Sequence, residues 1–270
     1  MLAVRDLRSA YDSQLRARVP ARLPEGVRVE HDGPLLRRLG APGGGFVEYR
    51  DLGDLDGAAL EELISRQVEV FAGRGERFEW KLHGHDAPAD LADRLLAAGF
   101  VPEDEETVMI ARAAEIATTP RLPAGAALRE VTAREDLDRI AALEEAVWRK
   151  EPGWREGDRD SLAESLELEQ AADPEALKIV VVEARSRVVC AGWVRFEDGT
   201  DFGTLWGGST LAAWRGRGLY RATVAHRANL AAERGFGHLE VDASRKSRPT
   251  LERLGFVAVT TTTPYVWSPG

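Results

Sequence analysis

Between residues 134 and 150 the apolar positions Leu137, Ile140, Ala141, Leu143, Val147 and Trp148 fall three and four apart, the period of one buried helix face. The spacing predicts a helix there, with Thr132 as its N-cap. Further helices are expected over 158–171 and over 218–234, the latter ended by Gly235. Strands show as unbroken apolar runs. Residues 179–182 and 188–194, separated by Ala184-Arg-Ser-Arg187, read as a hairpin of buried strands. Other strands are expected at 127–131, 201–211, 238–243 and 257–267, with a short helix over 248–254. Residues 1–19 carry Arg5, Arg8, Arg16 and Arg18 among acids and lack an apolar run, which predicts an amphipathic helix rather than a signal peptide.

Residues 117–126 (Ala-Thr-Thr-Pro-Arg-Leu-Pro-Ala-Gly-Ala) hold two prolines and a glycine and no apolar period, so they suit neither a helix nor a central strand. This places a linker at 118–126, between an N-terminal domain over 1–117 and a second over 127–270. The two halves echo each other. A helical pattern through Leu60, Leu63, Ile64 and Phe71 leads to Gly73-Arg-Gly75, a strand at 77–82, a turn at Asp86, a helix at 89–98 and Gly99-Phe100. The helix over 219–233 leads in turn to Arg234-Gly235, a strand, a helix and Gly255-Phe256. Such an ordered match argues for an internal duplication.

Composition narrows the functional classes. The chain has 270 residues, 44% hydrophobic and 30% charged, with a net charge of -9 from 36 basic and 45 acidic side chains. That excess argues against a nucleic-acid coat or a basic membrane-binding surface. The single cysteine, Cys190, excludes a disulfide framework, and no run is long enough for a membrane helix, so a cytoplasmic protein is expected. Between Arg215 and Arg253 the balance reverses, with nine basic and four acidic residues. A cationic segment in an acidic protein suggests an anionic ligand; a solvated helix face would look the same.

That segment opens with Thr210-Leu-Ala-Ala-Trp-Arg215-Gly216-Arg217-Gly218-Leu219-Tyr220. Glycines between a strand end and a helix start let backbone N–H groups approach a ligand closely, at the positive end of the helix. Arg215, Arg217 and Arg221 add cations within reach of phosphate oxygens. The loop is neither a Walker A sequence nor a G-x-G-x-x-G fingerprint.

The segment resembles the coenzyme A loop of the GNAT superfamily of acetyltransferases, Arg/Gln-x-x-Gly-x-Gly/Ala. It matches at Arg215, Gly216, Arg217, Gly218 and Leu219, and departs at Tyr220. Downstream, Ser244 through Phe256 is similar to that superfamily's second signature, Asn-x-x-Ala-x-x-x-Tyr followed by Leu-Gly-Phe. The resemblance covers 126–270. It implies a mixed α/β (α+β) fold, a central mostly antiparallel mixed sheet flanked by helices, repeated twice with the first copy degenerate, in a tandem layout similar to mycothiol synthase.

The resemblance implies acetyl-CoA as cofactor, with loop residues through Tyr220 and Arg221 on the pyrophosphate and Ser209, Thr210 and Leu211 along the pantetheine arm. It adds Ser244 and Ser247 to the coenzyme contacts and places an oxyanion-stabilising N–H near Leu211. Two departures concern the chemistry. Thr204 stands where many members carry a glutamate base, and Leu251 where they carry an acidic tyrosine. Candidate replacements are Glu240 and Asp242 as base and Tyr220, Ser247 or Tyr265 as acid. In the first half, Asp51, Asp54 and Asp56 precede Gly57 where the second half has its arginines, and three carboxylates repel a diphosphate. One coenzyme site per chain is therefore expected. The first half is left to supply stability, a wall of the acceptor pocket or a homodimer surface, and residues 150–175 to close that pocket.

The expected activity is acetyl transfer to the amine of a small molecule, with no nucleic-acid or membrane partner. Alternatives are a non-catalytic acyl-CoA-binding module and an acetyltransferase for protein N-termini or lysines. No metal site is expected: His83-Gly-His85-Asp86 reads as a loop with Asp86 capping the next helix. Cys190 reads as an inert buried thiol.

Overall fold

A computed structural model describes residues 4–150, 154–155 and 157–270. Residues 1–3 of the expected N-terminal helix, and 151–153 and 156 of the expected pocket cover, lie outside the described residues. The chain forms two compact units, one of residues 4–19, Gly26–Val108 and Ala258–Gly270, the other of Pro20–Glu25 and Met109–Val257.

The first unit contains α1 (Val4–Gln14), β1 (Arg28–Asp32), β2 (Leu35–Leu39), β3 (Gly45–Glu48), α2 (Gly57–Arg74), β4 (Phe78–His83), α3 (Leu91–Ala97) and β5 (Val101–Pro102). Next, β6 (Glu106–Arg112) crosses from this unit into the second. The second unit continues with α4 (Ala113–Ile116), β7 (Ala126–Val131), α5 (Arg134–Trp148), α6 (Asp158–Ala172), β8 (Leu177–Ala184), β9 (Arg187–Phe196) and β10 (Phe202–Thr210). A 3-10 turn (Ala212–Trp214), α7 (Leu219–Glu233), β11 (His238–Ala243) and α8 (Arg248–Leu254) complete it. The last strand, β12 (Val257–Trp267), runs within the first unit from residue 258 onward.

Within the first unit the strand order is β1-β2-β3-β4-β12, and within the second β7-β8-β9-β10-β11. Neighbours are antiparallel except β3 with β4 and β10 with β11. Each parallel pair is joined through a long helix, as a parallel crossover requires. The duplication inferred from sequence is thus present as structure. Its local signals are physical: α2 ends at Gly75 with φ +63°, and α7 is followed by Gly235 with φ +83°, left-handed positions that favour glycine. After α3 the Phe100 N–H reaches Leu95 O at 3.1 Å, and after α8 the Phe256 N–H reaches Leu251 O at 3.0 Å. Both phenylalanines then enter their unit's core.

The units do not part at the proline-rich stretch 118–126. After the first Gly-Phe the chain runs into β6, whose Met109 and Ala111 pack in the second unit's core; after the second it runs into β12, whose Tyr265 packs in the first unit's core. Equivalent strands are exchanged, a long-range pairing that local composition does not encode. Two local expectations also change. Ala133 rather than Thr132 occupies the N-cap of α5, without a side-chain bond. Asp86 does not cap α3; it accepts bonds from the Tyr49 hydroxyl at 2.6 Å, Arg16 at 2.7 Å and the His83 N–H at 2.8 Å. With these partners Asp86 is held down at about 2 against the burial that raises it.

In the second unit the sheet carries α5 and α6 on one face and α7 on the other. Trp193 and Ala191 pack with Leu137, Ile140 and Leu166, whereas Val194 and Leu205 pack with Val224 and Ala228. β8 and β9 are therefore buried on both faces and read as continuous apolar runs.

Candidate active site

Strand β10 is interrupted. Its register with β9 shifts between Gly207 and Ser209, a bulge in which Gly207 and Gly208 take φ +69° and +90°. A Cβ on Gly208 would lie 2.6 Å from the Tyr220 ring, so the glycine also admits that side chain. On its other edge β10 pairs with β11 only through Phe202–His238, Gly203–Leu239 and Thr204–Glu240. Beyond Thr204, β10 keeps β9 on one side and, among the described residues, pairs with no strand on the other.

Past β10 the chain enters the glycine loop. Gly216 and Gly218 have φ +74° and +82°, and Gly218 serves as the N-cap of α7. A cavity of 230 Å³ lies over this helix start, lined by Thr210, Trp214, Arg215, Gly216, Gly218, Leu219, Tyr220 and Arg221, with Thr250 and Arg253 from α8. Arg215 Nε donates to Thr210 O at 3.0 Å, holding the loop against the strand end. Arg217 instead stacks over Trp214, its guanidinium carbon 4.9 Å from the ring centre.

Most of the loop is thus gathered around one cavity, and the downstream serines are not. Ser244 and Ser247 face each other across 3.2 Å at the start of α8, while Thr250 and Arg253, which sequence reading did not single out, occupy the cavity wall. Leu251 is fully buried in the core beneath α7.

The Leu211 N–H is already engaged: it donates to Val189 O at 3.0 Å as a rung of the β9–β10 ladder. Leu211's own amide is thus committed to β9, and an oxyanion donor near it has to come from a neighbouring residue. The bulge, invisible in a pattern of apolar residues, resets which amides of β10 point at β9. Tyr265 packs among Phe78, Trp80 and Phe100 in the first unit's core, so it serves as a core side chain. Glu240 is buried beside Thr204, and Asp242 follows on the same face, opposite α7. The Thr204 hydroxyl is occupied, donating to Glu197 at 3.1 Å and accepting from the Trp206 indole at 2.9 Å.

Two polar side chains at the bulge were missed. Arg227, fully buried on α7, donates to Thr223 O, Trp193 O and Trp206 O, each at 3.0 Å, and so bridges β9 and β10 beside the bulge. Burial lowers its affinity for the proton. Gly192 is small because a Cβ there would lie 2.9 Å from the guanidinium. On the opposite face, Ser209 Oγ donates to Glu144 Oε2 at 2.7 Å and accepts from the Trp148 indole at 2.8 Å. Glu144 is 7% exposed, its Oε1 has no hydrogen-bond partner among the described residues, and burial pushes its carboxyl up to about 7. A sequence signal existed: positions 137, 140, 141, 144 and 148 form one helical stripe, so Glu144 sits where an apolar residue belongs.

In the first unit the place equivalent to the glycine loop carries Asp51, Asp54 and Asp56, the last as N-cap of α2, and Asp51 accepts the Gly53 N–H at 2.7 Å. Among the described residues no helix is long and apolar enough to cross a membrane, and no three His, Cys, Asp or Glu side chains are grouped to hold a metal. His83 and His85 bind Tyr11, Thr260 and Asp12 instead.

No family model and no curated protein matches the chain. Solved structures do. A GCN5-related N-acetyltransferase from Kribbella flavida superposes with a TM-score of 0.67 at 18% identity, covering 100% of this chain and 96% of that one. The fold is a duplicated GNAT fold. A tandem GNAT protein from the clavulanic acid biosynthesis pathway matches at TM-score 0.61 and 16% identity, over 100% and 97% of the two chains. A GCN5-related N-acetyltransferase from Sphaerobacter thermophilus matches at 0.60 and 16%, over 88% and 78%. These likenesses support a tandem GNAT arrangement in general rather than mycothiol synthase in particular.

Proposed function

We propose that the chain is an acetyl-CoA-dependent N-acetyltransferase acting on the amine of a small molecule, with one coenzyme site, in the second unit. The observation that carries this reading is the cavity over the N-terminus of α7, lined by a loop of left-handed glycines together with Arg215, Arg221 and Arg253. Such a cradle fits a diphosphate, whose oxygens take N–H donors and arginine forks. Acetyl-CoA would supply an activated acyl group as a thioester. The open edge of β10 past Thr204 offers main-chain groups to an extended arm leading from that cradle. With the Leu211 N–H committed to β9, strand alternation gives Thr210 the N–H on the open edge, and this amide is the oxyanion donor. Tyr220, held protonated by burial and packed on Gly208, is positioned as the acid for the leaving thiolate.

The buried Leu251 and the occupied Thr204 favour a second reading, an acyl-CoA-binding module without turnover. Calorimetric titration with acetyl-CoA tests the first step: one site per chain is expected, and absence of binding removes both readings. Thiol release in the presence of amines then separates enzyme from module.

A further inference from the structure

We propose that Ser209 and Glu144 form the proton relay of acetyl transfer, Ser209 Oγ receiving the proton of the attacking nucleophile as its own proton passes to Glu144 Oε2. The proposal rests on the acetyltransferase reading and supplies the base that Thr204 cannot provide. Ser209 directly follows the bulge, on the stretch of β10 that has no β11 partner, and one residue before Thr210 at the cavity wall. A ligand running from the cradle along that edge brings its reactive carbonyl to this serine.

The hydrogen bonds of Ser209 point the same way. A hydroxyl has one proton and two lone pairs. Ser209 gives its proton to Glu144 and takes the Trp148 N–H on one lone pair, which leaves the other for an incoming N–H or O–H. The Trp148 bond fixes the rotamer, so the serine is aligned before any substrate arrives. Among the described residues no cation pairs with Glu144: burial, Ser209 and Trp148 are what act on it, and Cys190 on β9 feels its charge. A carboxylate kept buried without a cation is costly for a fold, and one pushed up to about 7 is matched to accept a proton at neutral pH.

The nucleophile's bond to the acyl carbon forms, the carbon–sulfur bond breaks, and one proton moves from the nucleophile to Ser209 while the serine proton moves to Glu144. The sulfur leaves as thiolate and is protonated, and Glu144 returns its proton to solvent when product departs.

The full chain serves for the test. In 15N-labelled protein the Trp148 indole N–H, assigned with W148F, is expected to shift with an apparent pKa near 7 and to stop shifting in E144Q. An indole signal that does not titrate across the neutral range overturns the relay. With acetyl-CoA and water as the acceptor probe, thiol release by the wild type is expected to fall as pH drops through about 7. In E144Q and S209A the rate should fall about 100-fold and that acid limb should vanish, while calorimetric affinity for acetyl-CoA stays unchanged. Wild-type rate and profile in E144Q, or coenzyme affinity lost together with rate, overturns the relay. If the wild type does not bind acetyl-CoA, the acetyltransferase reading falls and the relay falls with it, whereas binding with an indole that does not titrate overturns the relay alone.

Discussion

Replacing Glu144 with glutamine should make the protein's stability less sensitive to alkaline pH, by an amount set by how far burial raises the carboxyl. Glutamate titrates near 4.5 when exposed and at about 7 in this fold. The folded state therefore holds its proton more tightly than the unfolded chain. Stability is unaffected below about 4.5, declines as pH rises, and carries the whole penalty once pH exceeds about 7. At about 1.4 kcal/mol per pH unit the penalty comes to about 3 kcal/mol. The E144Q side chain would keep an oxygen for the Ser209 hydroxyl and carry no charge, so it escapes this term. Its amide nitrogen meets the spot where Oε1 has no partner, which adds a destabilisation of about 1–3 kcal/mol that does not vary with pH. The diagnostic is hence the pH dependence of the difference. Urea unfolding followed by tryptophan fluorescence should show E144Q gaining about 3 kcal/mol on the wild type between acid and alkaline buffer. A difference that stays constant across that range would refute the argument that Glu144 is buried, unpaired and titrating near neutrality.

Other expected outcomes concern the coenzyme cradle and its surroundings. Reversing charge with R215E and R217E together should weaken acetyl-CoA binding at least tenfold in calorimetry, about 1.4 kcal/mol; an unchanged affinity would take the pyrophosphate away from this loop. D51A and D54A should leave that affinity as it is, and a large loss would show that the first unit also binds coenzyme. Gly208→Ala forces a residue with a Cβ into φ +90° against the Tyr220 ring, so thermal unfolding should report a loss of about 1–3 kcal/mol; wild-type stability would mean that the bulge tolerates a side chain.

What the sequence made legible was local. The paired endings Gly75 and Gly235, and Phe100 and Phe256, sit within a few residues of the helices they terminate, the glycines at left-handed φ and the phenylalanines bonded back to the last turn. The glycine loop is likewise contiguous in sequence, so its chemistry could be read before its shape was known. The bulge at Gly207–Gly208 was not legible, because Gly-Gly in a strand marks a weak point without saying which amides are redirected. That missing register is why the oxyanion donor could be placed only near Leu211 and not at one amide. Glu144 was overlooked because the stripe was traced through its apolar members, although one polar residue in such a stripe is the informative one. Arg227 entered only as one more positive charge; its burial between strands depends on a glycine, Gly192, that precedes it by dozens of residues.

The exchange of β6 and β12 bears on how the protein is made. As the chain leaves the ribosome, the first half is synthesised long before residues 258–267, yet its β4 has its antiparallel neighbour only in them. Until they emerge, that strand presents an unpaired edge flanked by the apolar residues of its core. The nascent first half must wait, exposed to chaperones or to mispairing with another copy, for the whole of the second half to be translated. A gene cut between the halves would leave each product with the other's closing strand.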